Sequence, residues 1–146
     1  MNLLGVTLRE IHLVREDLSG SEVQLKNVQN NVNITDINLR GISPNSSDKA
    51  LVFSFEYKTD YDLSKPKGKS LGKIHFLGEV AFSDKKKAMD KVLKSWKKDK
   101  KIDDDVLFPV LQAALNFVNI EAIYLARKVL LPSPIRLPQV KPQKSD

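Results

Sequence analysis

Residues Val106 to Leu130 read VLFPVLQAALNFVNIEAIYLARKVL, the longest apolar stretch of the chain. At about 100° per residue, Gln112, Asn116, Asn119 and Arg127 make one narrow polar stripe of a helix, and Glu121 and Lys128 fall nearly opposite. Two apolar flanks lie between. One carries Leu107, Leu111, Leu115, Val118, Leu125 and Val129; the other carries Val106, Ala113, Phe117, Ile120 and Tyr124. A surface helix of a monomer needs only one such face. Leaving the second in water forgoes roughly 1.5–3 kcal/mol for each large side chain, and several together make a sizeable exposed patch. One flank can lie on a sheet, and the other needs a cover.

Three covers compete. A membrane would accept the length, but Gln112, Asn116, Asn119 and Glu121 interrupt the stretch and no second segment could span. The preceding helix of the same chain is the plainest alternative. A second copy is the cover expected here, with Leu111, Leu115, Val118 and Leu125 as the oligomer interface. The expectation is an oligomer that binds rather than a monomer that catalyses.

The flanking residues set the helix ends. Asp103, Asp104 and Asp105 precede it; Asp105 suits the N-cap, and carboxylates are favoured at the positive end of the helix dipole. That use outweighs cation binding by the three aspartates. Pro109 would then fall in the first turn, where its missing N–H costs little. Arg127 and Lys128 have the right sign for a C-terminus, before Pro132 and Pro134. The remainder, 132–146, is an extended proline-rich tail.

Upstream, the segment 84–101 holds nine lysines and three aspartates. Ala88, Met89, Val92, Leu93 and Trp96 form a stripe on a short basic helix, with lysines on its other face. The charge of +6 resides in this segment, since the rest of the chain has as many acidic as basic residues. Basicity is thus local. The lysine face has two uses: plain solvation, with the Met89–Trp96 stripe packed on the domain, or binding of nucleic acid or an anionic membrane surface.

Before that segment the period is two. Leu51, Phe53, Phe55 and Tyr57 alternate with polar residues, as do Ile74, Phe76, Val80 and Phe82. Each pattern predicts a strand with one apolar face. The lysine-rich link Asp62 to Ser70, with Pro66 and Gly68, predicts a hairpin. Val32 and Ile34, then Ile37 and Leu39, also alternate, with a slip of phase at Thr35-Asp36 that a β-bulge would produce. Leu8 to Leu18 fits a strand or a helix, and a strand is favoured. Strands first and helices last predict an α+β fold in a single domain, 1–146: a four-stranded antiparallel sheet followed by a short basic helix and a long apolar helix on one face.

The chain of 146 residues has no cysteine, which excludes disulfides and thiolate metal sites. No metal and no cofactor is expected. His12 and His75 are the two histidines, and two histidines with scattered carboxylates make a poor zinc site. Gly68-Lys69-Ser70 matches the end of a P-loop, but the position five residues earlier is Leu63 and no helix follows. No nucleophile has an evident base and acid partner, so an enzyme is not expected. The N-terminus has no basic and apolar leader pattern, which points to the cytoplasm.

The same order of elements resembles the SecB protein-export chaperone family. The resemblance rests on four strands followed by a long helix entered through Leu107-Phe108-Pro109. It rests also on the proline-bracketed exit from Leu131-Pro132 to Leu137-Pro138-Gln139-Val140. Phe76-Leu77-Gly78-Glu79-Val80 is similar to the family's last strand, and Ile11 to Leu18 to its first. The resemblance implies protomers that pair and then join through their long helices into a tetramer. It implies an ATP-independent holdase that keeps unfolded polypeptides in an apolar groove between sheet and helix, in protein export or in toxin–antitoxin control. Carried onto this chain, the client-binding positions are Val32 and Ile34, Val110 and Ala114, and Leu137 and Val140 in the tail. Familiar members are acidic and dock on the SecA motor through acidic sheet residues, and the positive charge here argues against that docking. Their lid helix has no counterpart after Val140, and the long helix here is longer by about two turns (1.5 Å rise per residue). The rival expectation is a nucleic-acid- or membrane-surface-binding protein that works through the basic helix 84–101.

Overall fold

In the computed structural model, which describes residues 1–45 and 47–135, four strands precede two helices: β1 (Asn2–Arg15), β2 (Gln24–Gly41), β3 (Lys49–Lys65), β4 (Ser70–Ser83), α1 (Lys86–Asp99) and α2 (Asp104–Lys128). The strands form one antiparallel sheet in the order β1-β4-β3-β2. The expected α+β class and strand number are therefore observed. β2, β3 and β4 make a meander, and β1 returns to pair with β4. β1 starts earlier than the expected Leu8, because pairing with β4 continues back to Asn2. In β2 the register shifts between Ile34 and Asp36, at the bulge that the slip of phase predicts.

Alternation separates two faces. Phe53, Phe55, Tyr57 and Tyr61 of β3 and Ile74, Phe76 and Val80 of β4 are buried on the inner face. Gly78 belongs to the same face: a Cβ there would lie 2.6 Å from the Phe55 ring, so the absent side chain is what lets that ring lie across β4. The outer face is polar. Near its middle Glu79 accepts both guanidinium nitrogens of Arg40, at 2.6 and 3.3 Å, and Arg9 approaches to 3.3 Å. His12 and His75 stack on that face at 5.6 Å between ring centroids, and His75 lies 3.3 Å from Glu56.

α2 lies on the inner face across β4, β1 and β3, and α1 packs on β2. The buried row of α2 is Val110, Ala114, Val118, Ala122 and Ala126, all without solvent exposure. Residues four apart form a ridge inclined to the helix axis, and the three alanines in it let the backbone approach the sheet. The row turned outward is Phe108, Gln112, Asn116, Ile120, Tyr124 and Lys128, all exposed. The other members of the leucine-rich flank and of the Phe117 flank lie half-buried on either side.

Two details of the helix start correct the sequence reading. Asp103, not Asp105, is the N-cap; its carbonyl accepts from Val106 and Leu107 at 2.9 and 2.8 Å, and no side chain caps the end. Any of three consecutive aspartates suits the position, and the turn from α1 selects the first. Pro109 consequently lies inside the helix, beyond the first turn. Its ring removes one hydrogen bond, but Pro109 and Asp105 are both exposed, so water can reach the freed carbonyl. At the other end Arg15 of β1 donates to the carbonyls of Val129 and Leu130, at 3.3 and 2.5 Å. A cation there satisfies groups that the helix itself leaves unpaired.

Candidate functional site

Beside the inner face of β2 runs a groove of about 250 Å³. Its floor is Val32, Asn33 and Ile34; its walls are Trp96 and Lys100 from the end of α1, Ile102 from the link, and Leu107 and Leu111 from the start of α2. Each element supplies its part for a local reason. The alternation of β2 turns Val32 and Ile34 inward, opposite Tyr57 and Phe55. The apolar stripe of α1 seats Met89 and Trp96 against the sheet. Four link residues, Lys100 to Asp103, then turn the chain so that α2 crosses the inner face.

Lys100 ends α1 in the left-handed conformation, φ 54°, and its N–H donates to the Trp96 carbonyl at 2.9 Å. This turn brings the side chain back, with Nζ 4.9 Å from the centre of the Trp96 ring. A cation is thereby fixed at the wall of an otherwise apolar groove. Asp36 lies just past the bulge. Its carboxyl is held below the usual carboxylate range first by the Asn38 amide, then by the Ile37 N–H, and more weakly by Trp96 and Lys100.

Two residues along β2 from Val32, a polar cluster marks the groove's other end. Thr59 Oγ1 donates to Asn30 Oδ1 at 2.8 Å and lies 2.8 Å from Tyr57 Oη. The Asn30 amide donates to the Pro134 carbonyl at 2.6 Å, and Tyr61 Oη donates to the Pro132 carbonyl at 2.7 Å. Burial pushes the Tyr61 phenol up to about 12 and raises that of Tyr57. The Tyr61 phenol therefore stays protonated well into alkaline pH and keeps its hydrogen bond to the Pro132 carbonyl.

β2 is an edge strand of 18 residues, and among the described residues it pairs with a strand on one side only. Its other side offers backbone N–H and C=O groups to an incoming strand. The site can therefore bury apolar side chains and pair an extended backbone. Among the described residues no group of three or more histidine and acidic side chains could hold a metal ion. A larger hollow of about 800 Å³ lies at the end of the sheet, but Asp48, Lys49, Asp84, Lys86 and Asp90 line much of it, which suits water better than an apolar ligand.

The expected positions divide. Val32 and Ile34 line the groove together. Val110 and Ala114 are fully buried under α2, so they hold the helix to the sheet and offer no surface to a client. Val118 is buried in the same row and cannot reach a partner. Leu111 is half-buried in the groove wall, and Leu115 and Leu125 are half-buried along the edge of the helix. Leu137 and Val140 lie outside the described residues. Trp96, Lys100, Ile102 and Leu107 complete the groove without having been singled out for it. Periodicity assigns Trp96 correctly to a packed stripe, but nothing in the sequence shows which strand that stripe meets.

α2 is long and apolar enough to cross a membrane by length and composition, yet here one side of it is covered by the sheet. No protein-family model and no curated protein matches the chain. Among solved structures it is similar to a SecB-like chaperone of Mycobacterium tuberculosis in complex with a ChAD peptide from the HigA1 antitoxin. Identity is 10%, the TM-score is 0.42, and 95% of this chain and 94% of that chain are covered. A likeness of that size carries no functional inference.

Proposed function

We propose that this protein is an ATP-independent holdase, without catalytic activity, that captures extended apolar stretches of unfolded polypeptides in the groove beside β2. The observation that carries the reading is the junction of an apolar channel, floored by Val32 and Ile34, with the unpaired edge of β2. Burial of client side chains supplies affinity. Strand addition at the edge accepts any sequence, because the backbone is common to all.

An oligomer completes the reading. Phe108, Ile120 and Tyr124 are 63%, 69% and 58% exposed on the outward row of α2. A second copy packed there removes them from water and leaves the grooves open at the periphery. The resemblance to the SecB family supports a cytoplasmic role in export or in toxin–antitoxin control.

Light scattering tests the function. A chemically denatured client diluted into buffer of moderate salt should stay in solution at about one oligomer per client, without nucleotide (a stoichiometric rather than catalytic effect). Unchanged aggregation at that ratio, together with tight and salt-sensitive binding of RNA or DNA, would replace this reading with the nucleic-acid one.

A further inference from the structure

We infer that the groove selects for acidic polypeptides: its occupant is an extended apolar segment flanked by aspartate or glutamate. The inference rests on the holdase reading and names the client class of the same site.

All nine lysines from Lys85 to Lys101 are exposed, and among the described residues none forms an ion pair. The segment reaches the groove at Lys100, which lines it, while Lys97, Lys98 and Lys101 are its exposed neighbours in sequence. Outside the segment positive and negative charges balance. The excess positive charge of the chain therefore lies on the segment that reaches the apolar channel at Lys100, where it steers and holds negative charge.

The backbone of Lys100 is a second, independent observation. A helix that ends on a left-handed residue takes glycine or asparagine there at least cost, because a Cβ crowds the following carbonyl. Lysine occupies the position, and its ammonium lies over the wall of the groove. The turn at this residue is thus what brings a cation to the wall of the groove.

The other anionic partners fit less well. Nucleic acid would leave Val32, Ile34, Leu107 and Leu111 without apolar contact, and α1 has no arginine and no exposed aromatic residue for forks or stacking. A membrane would need an apolar wedge, but Met89 and Trp96 of α1 are turned into the core. An acidic, partly apolar chain uses both halves of the site.

The test uses the full chain and three unstructured, labelled peptides that share one leucine- and valine-rich centre, flanked by glutamates, glutamines or lysines. Anisotropy gives the affinities, and emission from Trp96, the single tryptophan, reports whether the groove is occupied. The glutamate-flanked peptide should bind ~10-fold tighter than the lysine-flanked one at low salt, and the gap should close as salt screens the charges. Lys100→Gln should weaken the glutamate-flanked peptide about threefold more than the glutamine-flanked one. Lys100→Gly should lose the same selectivity while raising Tm by a few degrees, roughly what relief of one left-handed lysine is worth. Equal affinities, or a preference for the lysine-flanked peptide, overturn the charge selection and leave the holdase reading standing. A single-stranded oligonucleotide that binds at least as tightly and displaces the glutamate-flanked peptide overturns it also. Failure of all three peptides to bind refutes the holdase reading itself, and the client class with it.

Discussion

Glu79 sits near the middle of the sheet's outer face with two guanidinium groups beside it, and only 8% of its surface is exposed. The hydrogen bond and charge of Arg40, with help from Arg9, hold its carboxyl below the ordinary glutamate range despite the opposing effect of burial. The unfolded chain then takes up the proton first as pH falls. The contribution of Glu79 to stability is complete above the ordinary glutamate range and is lost as pH drops through it towards the lower folded value. Denaturant melts of the wild type and Glu79→Gln should therefore differ most near neutral pH and converge in acid. Curves that stay parallel through that range would show that the pair is not coupled to folding. These partners are distant in sequence, and only the register of all four strands reveals them. The placing of Val32 and Ile34 on one face of a strand had a local signature in period-two alternation; the Glu79 cluster had none.

Among the elements, α2 shows best what a sequence does and does not disclose. Its length, its apolar excess and its basic end at Arg127-Lys128 were legible, because they follow from periodicity and the helix dipole. The face chosen by the sheet was not. Ranking positions by bulk favours the leucines, whereas the sheet takes the row with Ala114, Ala122 and Ala126, where small side chains permit close approach. The same preference explains why Val110 and Ala114 proved structural and why Val118 left the expected interface. Ala122→Leu should test this packing: three added carbons have no space between helix and sheet, and a loss of roughly 1–3 kcal/mol is expected from overpacking. A chemical-denaturation curve unchanged by the substitution would mean that the helix stands further off than described. The α1 lysines were legible as a charge run, but their placement beside β2 depends on the turn at Lys100, which composition does not encode.

For the whole molecule, the apolar excess that first suggested a partner survives folding in reduced form. Much of the second flank is half-buried, yet Phe108, Ile120 and Tyr124 remain largely in water. Sedimentation should find a wild-type oligomer, and Ile120→Asp with Tyr124→Asp should dissociate it, because each buried carboxylate would lack a counter-ion. The pair lies opposite the buried row, so the separated protomers should keep the far-UV spectrum of the folded chain. A monomeric wild type would show that no second copy covers that face.

The hold of Arg15 on Val129 and Leu130 ties the first strand of the chain to the end of its last helix. During synthesis β1 leaves the ribosome before every element that receives it: β4, its pairing partner, is some seventy residues away, and the helix end that accepts Arg15 lies 114 and 115 residues downstream. The meander of β2, β3 and β4 can close through neighbouring hairpins, but β1 must wait, because distant pairings form slowly. β1 thus stays without its partners until β4 and the residues that follow α2 have been made.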